Sequence, residues 1–210
     1  MASEVKSRRY DSSGRRAAAR ARQQRIVDVA GRLMQRDGYD ATTVAAIAAG
    51  SGVSAETIYK SFGGKPGLVR ALFDRALEGA GPIPAETRSD ALRDTDPVTL
   101  VSGWARLARE VAPRGIAVMV LLRAAASADP RLGQLYDEMD ARRLRRMQDN
   151  ARALEAIGGL RDEITVEEAG DVLFTVSSPE MYELLVTRRG WSIERYSTYV
   201  RDTITHALLP

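Results

Sequence analysis

Residues 42–68 read TTVAAIAAGSGVSAETIYKSFGGKPGL, and their spacing predicts two short helices joined by a tight turn. The first runs from Thr43 to about Ala49 in small apolar residues, with Thr42 or Thr43 supplying the N-capping hydroxyl. Gly50, Ser51 and Gly52 make the turn, and Ser54 caps a second helix carrying Thr57, Ile58, Tyr59 and Lys60. Phe62, a glycine pair and Lys65 lead into a third. Val44, Ile47 and Ala48 face inward and are small enough for the next helix to cross closely. Val53, Ile58 and Phe62 then close a small core. Two short helices on a glycine-bearing turn form a helix-turn-helix, whose second helix lies in the major groove of DNA.

Working outward, residues 1–20 lack apolar periodicity and are expected to be a disordered basic arm. A helix is expected from about Ala21, with Ile26, Val29, Ala30, Leu33 and Met34 on one face and Gly38 ending it. The first 25 residues carry a charge of +6, while the whole chain of 210 residues carries +3. Cationic density therefore sits at the end that holds the proposed DNA element, as a phosphate-binding footprint would; a solvated tail is the alternative. Residues 21–78 are expected to form the DNA-binding domain, closed by a helix with Leu68, Val69, Leu72, Phe73, Ala76 and Leu77 in one stripe.

Residues 79–95 concentrate Gly, Pro and charge and mark the boundary to a second domain, 79–210. Asp96-Pro97, Asp129-Pro130 and Ser178-Pro179 each read as an N-cap followed by N1 proline, and Thr165 with Glu168 reads as a capping box. Pro113 is expected to open a separate helix, nearly all apolar from Gly115 to Ala128, of the kind buried inside a bundle. No stretch alternates long enough for a strand. The fold expected is all-α: an N-terminal helix-turn-helix trihelix and a C-terminal helical bundle.

The chain resembles the TetR family of bacterial transcriptional regulators. The resemblance rests on Thr42, Thr43, Val44, Ile47 and Ala48, then Gly52, Val53 and Ser54, and then Thr57, Ile58, Tyr59, Phe62, Lys65 and Leu68. It implies a homodimer whose N-terminal domains grip successive major-groove faces of a palindromic operator, with a C-terminal bundle that dimerises and holds an effector pocket. Ser61 and Gly64 depart from the family pattern, an aromatic or histidine and a stronger helix-capping residue being common at those positions.

Base contacts are expected from the start of the second motif helix: Ser54, Ala55, Glu56 and Thr57. That set holds no Arg for guanine and no Asn or Gln for adenine, so direct readout should be modest. Thr43, Tyr59, Lys60 and Lys65 are assigned to phosphates. For Tyr59 the alternatives are a ring packed in the core or a hydroxyl on phosphate; the resemblance and the polar tip favour the second.

For the bundle, Trp104, Met119, Arg123, Tyr136, Met139 and Met147 are candidates to line an effector pocket, the alternative being that they are plain core. A buried Arg123 would need an anionic partner: Glu110, Asp137 or Asp140, or an acid group on the effector. Val172, Val176, Ile193, Tyr196, Val200, Ile204 and Leu208 are candidates for a dimer face. Cysteine is absent and His206 is the one histidine, which excludes disulfides, thiolate zinc sites and most histidine metal sites. His206 belongs to no recognisable catalytic set, so a surface or interface role is expected for it. No apolar run approaches the roughly 18 residues that span a bilayer, and no signal-peptide core follows the Arg-rich start, so a cytoplasmic address is expected. No cofactor or metal is expected, nor a membrane partner. The reading is a DNA-binding regulator, a repressor released by a small molecule; the competing reading is a helical small-molecule-binding protein or enzyme. Against an enzyme stands the lack of a phosphate loop, a nucleophile elbow or a positioned acid–base pair.

Overall fold

Helix α1 spans Ser12–Asp37, so the arm expected to be disordered to residue 20 is already helical from Ser12. The computed structural model describes residues 12–126 and 129–210; the rest of that arm, with Lys6, Arg8 and Arg9, lies outside them. The physical reason is plain. Residues 14–25 are exposed on every side, so they show no apolar period, yet they are mostly Ala, Arg and Gln, which are strong helix formers. Missing periodicity reported missing packing, not missing helix.

From α1 the chain continues through α2 (Val44–Ser51), α3 (Ala55–Phe62) and α4 (Lys65–Glu78). The boundary between two compact units falls inside α4, after Leu68, about ten residues before the boundary read from composition. In the first unit Ile26, Met34, Ile47 and Ile58 are fully buried, as their helical spacing requires. Helix α2 approaches α1 closely: a methyl group on Gly50 would stand 2.9 Å from Val29 Cγ1.

The second unit runs from Val69 to Pro210. Beyond the end of α4 it contains α5 (Ala85–Asp90), α6 (Pro97–Ala125), α7 (Pro130–Ala156), α8 (Val166–Val176), α9 (Pro179–Tyr182) and α10 (Ile193–Leu208). A π-helical turn at Glu183–Arg188 follows α9 directly. Helix α5 lies where composition marks a linker. The helix expected to break at Pro113 does not break; α6 passes through it. A proline there removes one backbone bond and frees the carbonyl of Arg109, but Pro113 and Arg109 are both exposed. On that exposed side the lost bond is tolerated, and burial of Leu100, Val101, Trp104, Ile116, Met119 and Leu122 holds the helix on both sides of it.

The capping expectations are met locally. Asp96 accepts from the Thr99 N–H (3.0 Å), and Ser178 from that of Met181 (3.2 Å). The Thr165–Glu168 box is reciprocal, at 2.9 and 3.2 Å. The core is built where α6, α7, α8 and α10 meet, on Leu154, Ala169, Leu173, Tyr196, Val200, Ile204 and Leu208. Val176, Tyr196, Val200, Ile204 and Leu208 are therefore buried in the chain's own core, which removes them from the expected dimer face. Among the described residues there is no strand, and no helix is long and apolar enough to cross a membrane.

Candidate nucleic-acid interface and ligand cavity

Helix α3 owes its position to two caps and one buried residue. Ser54 Oγ accepts from the Thr57 N–H at 3.2 Å and lies 2.9 Å from Thr57 Oγ1. At the other end Gly63, in the left-handed region at φ +71°, donates to the Tyr59 carbonyl at 2.8 Å. Ile58 is fully buried and anchors one side. The opposite side presents Glu56, Tyr59 and Lys60, which share a face at i, i+3 and i+4 and are all exposed. Tyr59 is 57% exposed, so its ring does not pack in the core. Ala55 and Thr57 are half-buried at the helix start, beside exposed Ser54.

Thr43 is exposed and caps α2, accepting from the Ala46 N–H at 3.1 Å. Lys65 differs from the rest of the expected phosphate set. It is half-buried, donates to the Tyr39 carbonyl at 2.7 Å and sits 4.0 Å from the centroid of the Tyr39 ring. Arg25, one of the basic residues behind the +6 charge of the first 25 positions, donates to the Ser51 carbonyl at 3.0 Å and closes the end of α2. Gly64 is a conformational choice: φ is +111°, and a side chain there would meet the Tyr59 ring at 3.4 Å. Gly67 is tighter still, since a Cβ would fall 1.7 Å from the Phe62 carbonyl oxygen.

The second unit encloses a cavity of about 220 Å³ between α4, α5, α6, α7, α8 and α10. Of the six candidate pocket residues, Trp104, Met119 and Met147 line it. Arg123, Tyr136 and Met139 do not. Met139 is buried in the core. The side chain of Arg123 is 39% exposed and pairs with Glu180 (2.6 Å) and Glu183, not with Glu110, Asp137 or Asp140. Its hydrogen bond holds the Glu183 carboxyl below the ordinary range. Glu110 is engaged by Arg88 at 2.6 and 3.1 Å, and Asp140 by Arg143 at 3.0 Å. The partner carboxylates came from α9 and the turn after it, whose proximity to α6 no local spacing announces.

The cavity also contains polar residues absent from the expected set: Ser89, Arg142, Arg143, Arg146 and Asn150. Asn150 was findable, because it stands on the inward stripe of α7 between Met147 and Leu154. Ser89 was not, since it lies in the stretch that reads as a linker. Burial pushes the phenol of Tyr196, another wall residue, far above its ordinary pKa. Among the described residues no cluster of His, Asp or Glu is placed to hold a metal ion.

Comparison with known proteins agrees with this geometry. Residues 26–72 match the family described as bacterial regulatory proteins, tetR family. The uncharacterized HTH-type transcriptional regulator YvkB of Bacillus subtilis (strain 168) is 40% identical over 70 residues, which are 33% of this chain and 37% of YvkB. The chain thus spans little more than a third of that relative. A second uncharacterized HTH-type regulator of that organism, YdeS, is 29% identical over 184 residues, covering 87% of this chain and 85% of YdeS. In the fold, the SmeT–triclosan complex superposes with a TM-score of 0.71 at 19% identity, covering 90% of this chain and 92% of that one. A proposed regulator from Saccharomonospora viridis, in complex with choline, gives 0.67 at 20% identity, covering 91% and 99%. Residues 26–72 therefore form an N-terminal helix-turn-helix domain of the tetR family, within a chain whose whole fold resembles solved structures of that kind.

Proposed function

We propose that this regulator is a repressor that binds a palindromic operator as a homodimer and leaves it when a small molecule fills the cavity of the second unit. The observation that carries the reading is the α3 face of Glu56, Tyr59 and Lys60, exposed opposite a buried Ile58. In this reading Ser54, Ala55, Glu56 and Thr57 meet base edges, with Glu56 accepting from cytosine N4 and the methyl groups of Ala55 and Thr57 against thymine. Thr43, Tyr59 and Lys60 hold phosphates, and Lys65 contributes through the geometry it fixes as much as through its charge. One α3 offers few strong donors, so specificity needs two copies on paired half-sites about one helical turn apart.

The effector half of the proposal draws on the cavity in the second unit, whose lining is mostly apolar with a few polar groups, the usual make-up of a ligand site. Related folds hold small molecules, triclosan in SmeT and choline in the Saccharomonospora protein. The protein is expected to act on DNA in the cytoplasm. The test is a mobility-shift titration on the intergenic DNA upstream of its own coding sequence, with and without a panel of small molecules, alongside sedimentation of free and bound protein. Sequence-specific retardation by a dimer, relieved by one class of compound, supports the proposal. Retardation equal to that of random DNA contradicts it.

A further inference from the structure

We infer that the cavity takes an uncharged, mainly apolar molecule larger than a single ring, which offers a hydrogen-bonding oxygen to Asn150 and Ser89. The inference rests on the effector reading above and names the chemistry of that same site.

Charge is the first argument. Three guanidinium groups, those of Arg142, Arg143 and Arg146, line the cavity, as they would in a site for an acid. Each is already engaged. Arg142 pairs with Asp74 at 2.8 Å and Glu86 at 3.3 Å. Arg146 pairs with Asp90 at 2.8 Å, a carboxylate shared with Arg93 at 2.9 Å. Arg143 pairs with Asp140 at 3.0 Å, donates to the Phe174 carbonyl at 2.5 Å and stacks 3.6 Å from the Phe174 ring centroid. Four guanidiniums thus face four carboxylates, and a ligand acid would have to break a standing pair. A ligand cation would fare no better, because the one lining carboxylate, Glu86, is in the same network.

Polarity without charge is the second argument. Asn150 and Ser89 are each only 6% exposed and both line the cavity. Among the described residues no donor or acceptor reaches the Asn150 amide or the Ser89 hydroxyl. Neither belongs with the two sealed unpartnered atoms, Arg93 Nε and Arg161 Nε, so the exposure they keep is onto the cavity. Unpaired polar groups are rare in interiors, and here two of them open into space walled by Trp104, Met119, Met147 and Leu173. An amide can donate and accept and a hydroxyl can do both, so a ligand carbonyl or hydroxyl satisfies them. As for size, a cavity of roughly 150 Å³ admits one benzene ring, so about 220 Å³ admits a larger body.

Four naphthalene probes test this by equilibrium dialysis against the full chain: naphthalene, methyl naphthyl ketone, naphthoate and naphthylmethyl-trimethylammonium. Ketone and naphthoate have nearly the same shape and differ in charge. The ketone is expected to bind at least about tenfold tighter than naphthalene, naphthoate or the ammonium compound, the scale of one satisfied hydrogen bond. Asn150→Leu is expected to erase the ketone's advantage over naphthalene, and Ser89→Ala, a smaller change that leaves the packing intact, to reduce it. The inference is overturned if naphthoate or the ammonium compound binds as tightly as the ketone, if both variants leave the ketone-to-naphthalene ratio unchanged, or if no probe binds. Ketone binding that leaves DNA retention unaltered contradicts the effector reading while upholding this one.

Discussion

The Lys65 ammonium donates to the Tyr39 backbone carbonyl across 26 residues of sequence, while lying over the ring of that same tyrosine. It ties the first residue of α4 to the segment that links α1 and α2, and so fixes the entry to the helix-turn-helix from behind. A lysine in that position is a structural tie before it is a phosphate contact.

Lys60 and Lys65 should therefore separate in experiment. Lys60→Ala should leave thermal stability unchanged and lower the slope of log affinity against log salt by about one, since it removes the one phosphate contact proposed for this exposed side chain. Lys65→Ala should cost about 1 kcal/mol of stability through the lost hydrogen bond and ring contact. Thermal denaturation beside salt titrations on specific and random duplexes reads both. Equal effects of the two variants on stability would refute the distinction.

Tyr59→Phe removes only a hydroxyl from a ring that is mostly in solvent. The melting temperature should not move. DNA affinity should fall by roughly three- to tenfold, the loss of one phosphate hydrogen bond. Fluorescence anisotropy on a fixed duplex checks this, and unchanged affinity would return the residue to a steric role.

Gly67→Ala should be severe, because the added carbon has no room beside the Phe62 carbonyl and that oxygen belongs to backbone. A loss of roughly 3 kcal/mol is expected, at the upper end for single substitutions. Denaturant unfolding measures it, and a loss under about 1 kcal/mol would mean that the α3–α4 turn gives way easily.

Acid should destabilise the second unit through Glu110. The hydrogen bond from Arg88 holds its carboxyl below the ordinary value, aided by the Ala80 N–H at 3.1 Å. Its folded pKa is the lower one, so its contribution is fully present above the unfolded value of about 4.3 and is lost as pH falls through the folded value. Melting temperature measured against pH should drop as pH falls from about 5 toward 3, and Glu110→Gln should flatten that drop.

Asn150→Leu should raise the melting temperature. It replaces an unpartnered buried amide by an apolar group of similar shape, and such replacements relieve about 1 kcal/mol or more. Calorimetry of the unliganded chain checks the gain. A stabilised variant that has lost the ketone's advantage over naphthalene would mark Asn150 as retained for a ligand.

Local chemistry was the legible part of this chain. The caps at Asp96, Thr165 and Ser178 depend on residues three or four apart and stand where their spacing puts them, while α2 runs through Gly50 and Ser51, read as turn, and ends at Gly52. The exposed α3 face was legible for the same reason. What escaped was set by distance in sequence or by solvent. Pro113 failed to end α6 because an exposed carbonyl can turn to water. Arg123 found its carboxylates about 60 residues away. The stripe from Tyr196 to Leu208 was readable as apolar, but spacing cannot say whether a stripe faces its own core or a second copy. Here it faces its own core.

The most direct measurement is selection of bound sequences from a randomised duplex library by the full-length protein. The account predicts enrichment of an inverted repeat with half-site centres about one helical turn apart, weakened by Glu56 substitution at the position Glu56 reads. Recovery of fragments with no common motif, or of a motif indifferent to every substitution on α3, would contradict it.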